Sequence, residues 1–298
     1  MPEDIPALVV FGIVDAAVLA IAAVGFTLQF GVTNYFNFGY GEWLTFGAFM
    51  AMVFNTEPLQ LNIWVAMALA GLATALLSFA INRGVFMPFV KRRPEPLFIL
   101  IVTLAVGLLL NNLYIAIWGT AYHEYVTAAR DVHQIGSVTL ATDQFVFLLI
   151  AVALMLATHA VLAYTKLGRS MRAIADDRAL ATVCGLDAAR LADVTWLMTG
   201  FMAGVAGVIL AMQVHTFGTD IGGNFTYLIF PAVIIGGIGR AYGAMVGALI
   251  IGLLTALGVL VIPAALTPTL IFGAIVAIVL FRPQGLLGGI GHGRMQES

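Results

Sequence analysis

The chain has 298 residues, of which 61% are hydrophobic and 9% charged, with a formal net charge of -2. Soluble domains carry about 25% charged residues, so the composition excludes one and defines an integral membrane protein. The single cysteine, Cys184, rules out an intramolecular disulfide and any metal cluster built on several thiolates.

Taken from the N-terminus, the first seven residues carry Glu3 and Asp4 and no Lys or Arg. That is the wrong sign for a signal peptide, so the first hydrophobic segment is expected to stay as a span. A bilayer core of about 30 Å requires roughly 20 apolar residues per helix. Segments of that kind lie at about 8–31, 61–82, 97–118, 145–165, 194–214 and 242–262. Shorter or Gly-interrupted ones lie at about 38–54, 225–238 and 266–281. The prediction is an all-α polytopic membrane protein of eight or nine transmembrane or re-entrant helices, forming one transmembrane domain over 1–298.

Two of the short segments are rich in glycine. Residues 34–49 contain Asn34, Asn37, Gly39, Tyr40, Gly41 and Glu42, and residues 230–247 contain Pro231, Gly236, Gly237, Gly239, Gly243 and Gly247. Unwound backbone is tolerated at membrane depth only against protein or a cavity, so such segments are candidates for a substrate path. Close helix packing through small residues is the competing reading, since Gly243 with Gly247, and Gly200 with Gly204, form GxxxG patterns. Glu42 stands apart, because a carboxylate in the hydrocarbon implies a functional or network role. Asn111 and Asn112 either bond across helices or face the path. His159 reads as a satisfied core histidine.

The loop at 119–142 holds His123, Glu124, Asp131 and His133; their spacing matches no metal-ligand pattern, so a solvated loop is expected. The most polar stretch is 166–193, with Lys166, Arg169, Arg172, Arg178 and Arg190 alongside Asp176, Asp177, Asp187 and Asp193. It cannot lie in lipid. It reads as helical, with Gly185 the only breaker after Ser170. Leu180, Val183 and Cys184 make a small apolar face, and Cys184 is expected to be buried. A connector between spans and a docking element are both open. Placing this loop in the cytoplasm puts Arg83, Lys91, Arg92, Arg93, Arg240, Arg282 and Arg294 there too, leaving Arg130 alone outside. With nine crossings the N-terminus is then external and the C-terminus cytoplasmic.

No nucleophile elbow, metalloprotease helix, CxxC or phosphate-binding Gly-Lys-Ser/Thr loop occurs, so neither catalytic residues nor a metal site are expected. The glycines at 288–293 read as a tail. Two classes of transporter remain. An ion-coupled secondary carrier needs charges in its core, whereas an ATP-driven permease needs a cytoplasmic helix that engages a separate ATPase. The sparse core charge favours the second.

Four stretches resemble the permease subunits of ABC importers for branched-chain amino acids, the LivH type, a family that includes urea and short-amide permeases. Asn37 to Glu42 is similar to the family's Asn-Phe-Ala-His-Gly-Glu, with Gly39 and Tyr40 in place of its Ala and His. Residues 167–207 resemble its cytoplasmic coupling loop and the following span, 235–254 its Gly-rich pair, and Phe281 to Leu287 its C-terminal signature. The resemblance implies a second, related permease subunit or a second copy of this chain, two ATPase subunits that carry the ATP and Mg, and a periplasmic or lipoprotein binding protein. This chain itself would hold no cofactor and would lie in the bacterial inner membrane. Asn37, Gly39, Tyr40, Gly41, Glu42, Gly236, Gly237 and Gly239 would line the path. Arg172, Asp176, Asp177, Arg178, Ala179, Ala181 and Gly185 would couple to the ATPase, although Ala179 stands where the family's coupling motif has glutamate.

Overall fold

The computed structural model describes residues 5–92, 95–126, 132–135, 138–261, 263, 266–282 and 284–287. Arg93, Arg130, Asp131, Arg294 and the 288–293 glycines lie outside the described residues, as does Pro283 of the C-terminal signature. The described residues form twelve α-helices, nine of them on the apolar runs that the sequence shows. They are α1 (Ile5–Thr33), α2 (Gly41–Asn55), α3 (Ile63–Ile81), α4 (Met87–Lys91), α5 (Pro96–Trp118) and α6 (Thr142–Tyr164), followed by α7 (Lys166–Asp176), α8 (Arg178–Val183), α9 (Ala188–Val214), α10 (Ile221–Gly236), α11 (Ala241–Gly258) and α12 (Thr267–Phe281). A π turn, Asn82–Phe86, joins α3 to α4. Four short strands complete the described elements: β1 (His123–Glu124), β2 (Val132–Ile135), β3 (Val138–Ala141) and β4 (Thr216–Phe217). β1 pairs with β4 and β2 with β3, both antiparallel.

Among the described residues, six helices are long and apolar enough to cross a membrane: α1, α3 continued through α4 to Lys91, α5, α6, α9 and α11. The protein is an all-α polytopic membrane protein. Its outward face is lipid-like, with Leu108, Leu109, Leu149 and Leu156 exposed on α5 and α6. α10 and α12 are apolar but shorter, and α2 has 15 residues.

Local chemistry sets the helix limits. α1 stops where Asn34 adopts a left-handed conformation (φ 59°) and its N–H bonds to the Phe30 carbonyl at 2.7 Å, a terminus that Asn tolerates better than most residues. Pro96 opens α5 and Gly119 (φ 79°) closes it. The polar stretch differs from its expected form. It is not one helix broken at Gly185, because Asp177 also interrupts it by leaving the helix to cap α8, its Oδ1 accepting from the Leu180 N–H at 2.9 Å. A short polar side chain that competes for backbone N–H groups favours such a break. Asp187 caps α9 in the same way, so that helix begins at Ala188, well before the apolar run at 194. Cys184 is exposed, contrary to expectation, together with Leu180 and Val183, because the apolar face of α8 points away from the rest of the chain.

The chain divides into two compact units, one of residues 1–27, 130–153 and 227–298 and the other of 28–129 and 154–226. In the second, α2, α3 and α9 pack backbone to backbone. A Cβ on Gly47 would stand 2.5 Å from the Gly204 Cα, one on Gly200 2.5 Å from the Ser78 Cβ, and one on Gly207 would overlap the Leu44 carbonyl. The GxxxG of Gly200 and Gly204 is thus a packing device. In the first unit, α1 and α11 approach equally closely, Gly252 lying against the backbone of Ala16.

Candidate functional site

The break between α1 and α2 is a polar interruption between two apolar helices of the second unit. Three tight turns, Tyr40 N–H to Asn37 O, Glu42 N–H to Gly39 O and Trp43 N–H to Tyr40 O, bring the chain into α2 with Glu42 in the first turn. A carboxylate there is favoured by the helix dipole. Gly39 permits the approach to α5, since a Cβ would stand 2.9 Å from the Thr103 carbonyl and 3.0 Å from the Gly107 Cα. Phe38 N–H also bonds to Thr103 Oγ1 at 3.4 Å. Gly41 and Gly222 let the first turns of α2 and α10 touch through their backbones, and Gly222 N–H donates to Thr45 Oγ1 at 3.1 Å.

Glu42 is only 8% exposed. Asn111 Nδ2 donates to its Oε2 at 3.4 Å and to the Thr219 carbonyl at 3.0 Å, while the Tyr114 hydroxyl donates to the Glu42 carbonyl at 3.2 Å. Beyond Oε1 lies Gly223, at which a side chain would come no closer than 3.7 Å. Asn37 is fully buried, yet neither atom of its amide has a hydrogen-bond partner among the described residues. Asn37, Gly39, Tyr40, Gly41 and Glu42 therefore share one polar locus framed by α5 and the start of α10. Asn111 bonds across helices, whereas Asn112 bonds back to Leu108 O on its own helix. His159 packs edge-on against Tyr164.

Gly236, Gly237 and Gly239 belong to the other unit and do something different. Gly236 lies against the Gly243 carbonyl and Gly247 against the Ala232 carbonyl, so α10 and α11 form a tight antiparallel pair. Gly237 (φ 106°) and Gly239 (φ 83°) make the turn between them, a backbone shape that other residues resist. Onto this turn folds the C-terminal signature. Leu286 N–H bonds to Ile235 O at 2.8 Å, Leu287 N–H to Gly236 O at 3.3 Å, and the Arg240 guanidinium donates to Leu287 O.

In the second unit, polar groups collect at two opposite sets of helix ends. At one, Asn82 Nδ2 and Arg83 Nε bond to the two oxygens of Asp193 at 2.9 and 3.1 Å. Arg172 donates to Leu162 O, and Arg178 to Val32 O at 3.1 Å. Asp176, Ala179 and Gly185 lie in the same loop, and Ala181 is its one buried member in α8. At the other, Tyr125 O–H donates to Ala48 O at 2.9 Å, and Val126 N–H to Asn55 Oδ1 at 2.8 Å. Burial pushes the Tyr125 phenol well above its ordinary range.

Several of these residues carry no motif. Gly222, Gly223 and Thr226 precede or open the apolar segment at 225–238, because α10 starts four residues earlier than its hydrophobic run. Asn82 and Asp193 are 111 positions apart and only the fold joins them. The Asn111-Asn112 pair in an apolar span was the available signal for the partner of Glu42.

A polytopic helical membrane protein with a broken helix, a buried carboxylate at the break and a charged loop at one end has the features that a transport permease requires. The model of the branched-chain amino acid transport system permease component matches residues 8–281, and the chain belongs to that family. It is 26% identical to the high-affinity branched-chain amino acid transport system permease protein LivH of Escherichia coli K12, covering 93% of each chain. It is 25% identical to BraD of Pseudomonas aeruginosa, covering 93% of this chain and 94% of that one. It is 27% identical to a probable LivH of Methanocaldococcus jannaschii, covering 93% and 90%. No solved structure matches.

Proposed function

We propose that this chain is the membrane subunit of an ATP-driven importer of branched-chain amino acids in a prokaryotic cell membrane. It works with a second permease subunit, two cytoplasmic ATPase subunits and an external binding protein. The family and its relatives' names support the substrate class. The observation that carries the coupling is the exposed apolar face of α8. Leu180 is 61% and Val183 85% exposed, with Cys184 beside them, on a loop too polar for lipid. Such a face calls for a protein partner, and the ATPase is that partner. The cation-bearing ends near this loop are cytoplasmic, which puts β1 and β4 outside.

Closure of the ATPase pair on ATP moves the α7–α8 loops, and the spans tilt between outward-open and inward-open states. The locus of Asn37, Gly41 and Glu42 lies on the path, where a carboxylate and a buried amide can meet the ammonium and carboxylate of a zwitterion. ATP hydrolysis belongs to the partner subunits.

Proteoliposomes holding the complete transporter should accumulate leucine when ATP and binding protein are supplied. The chain alone, given a proton or sodium gradient, should move none, and accumulation under that condition overturns the proposal. Gly185→Pro provides a second check. Gly185 has φ 89°, which proline cannot adopt, so the variant should reach the membrane and not transport.

A further inference from the structure

Arg172 and Arg178, charged candidates for meeting the ATPase, both turn back into this chain. Each donates to a carbonyl near the end of a spanning helix, Arg172 on α6 and Arg178 on α1. The last carbonyls of a helix lack intrahelical partners and carry partial negative charge, so a guanidinium is well suited to hold them. The α1 end is the more consequential, because past Thr33 the chain is non-helical until α2 begins at Gly41.

From that end a continuous set of rings leads inward. Tyr35 and Arg178 line one cavity of about 350 Å³, together with Thr33, Asn82 and Lys91. The Tyr35 ring lies 6.0 Å from Phe86, Phe86 stacks on Trp196 at 5.1 Å, and Trp196 lies 5.8 Å from Trp43. Trp43 is the residue after Glu42. Phe86 closes the π turn, and the same turn is tied to α9 through Asp193. π turns inside helices are frequent at functional sites, and close-packed rings pass on a displacement because they cannot be compressed.

We propose that Arg178 is the residue through which movement of the coupling loop reaches the Glu42 locus. When α8 shifts, the last turn of α1 and the 34–40 break shift with it, and the column from Tyr35 to Trp43 carries the shift to the first turn of α2. Arg178 is thus a transmission residue, and ATPase docking falls to the apolar face of α8. The proposal rests on the coupling role assigned above to the loop.

The test uses the assembled transporter reconstituted with ATP, binding protein and leucine. Arg178→Gln should retain the ATPase subunits and basal ATP hydrolysis, while leucine uptake falls about tenfold, within the usual range of coupling between sites. Arg178→Lys, which keeps a cation at the α1 end, should recover part of the uptake. Trp196→Phe should transport better than Trp196→Ala at equal protein level. Wild-type uptake by Arg178→Gln overturns the proposal, as does loss of the ATPase subunits, which would make Arg178 a docking residue. A measurement on the unmodified protein decides the case even where the variants fail to fold. Hydrogen exchange over residues 33–43 should change when a non-hydrolysable ATP analogue closes the ATPase, and unchanged exchange there sinks the idea. If Gly185→Pro transports normally, the coupling role itself is wrong; if it is silent while Arg178→Gln is fully active, only the transmission role is.

Discussion

The segments at 34–49 and 230–247 look alike in sequence, both apolar and broken by glycine, yet they use glycine for different ends. At 230–247 the neighbours of Gly236, Gly243 and Gly247 are backbone carbonyls, and the turn at Gly237 and Gly239 seats the C-terminal residues. At 34–49 the glycines bring three helices close around polar side chains: Glu42, Asn111, Tyr114 and the unpartnered amide of Asn37. A glycine run therefore reports only that two backbones approach. The buried carboxylate separates a site from a joint, because nothing in packing alone requires one.

The sharpest way to break this contrast is Gly236→Val. Its side chain would enter the Gly243 carbonyl, and overpacking between two backbones costs about 1–3 kcal/mol or more. Little folded protein should remain in the membrane, as measured by size-exclusion of a fluorescent fusion. Normal amounts of a protein that does not transport would move Gly236 from the joint to the path. Glu42→Gln should behave in the opposite way. It keeps the shape and the bond with Asn111 through its amide oxygen, so protein level should hold while leucine uptake falls about tenfold, the loss of roughly one charged hydrogen bond. An active Glu42→Gln would reduce Glu42 to a network residue.

Much of the architecture was legible because it rests on length and apolarity. Each expected span corresponds to a helix, and Pro96, Gly119 and Gly185 punctuate where their backbone preferences require. Glu42 was legible for the same reason, since a charge in an apolar run is conspicuous. Its surroundings were less so: Asn111 stands out as an amide in a span, but Thr219, whose carbonyl holds Asn111, and Gly223 in the first turn of α10 lie over 170 residues from Glu42 and only the fold brings them there. The exposure of Cys184 was misjudged because an apolar stripe on a helix shows that something covers it and leaves open whether the cover belongs to the same chain. The inward turn of Arg172 and Arg178 is likewise a tertiary fact: a cation in a polar loop looks the same in sequence whether it faces solvent or caps a distant helix.

The smallest expected effect is the most discriminating for the locus itself. Asn37 buries an amide whose two polar atoms have no partner among the described residues, and leaving such a group unsatisfied costs about 1–3 kcal/mol. Asn37→Ala removes that cost and opens only a small void, so the two changes oppose one another and thermal stability in detergent should shift by less than about 1 kcal/mol in either direction. Ordinary buried asparagines behave differently, because truncating them orphans the groups they bond to. Uptake of leucine should nonetheless fall several-fold, within the range of one hydrogen bond of about 1 kcal/mol, since the amide would meet its partner only when substrate passes. A marked loss of stability with uptake in proportion to surviving protein would mean that Asn37 already serves the resting fold, and the locus would shrink to Glu42 and the helices that frame it.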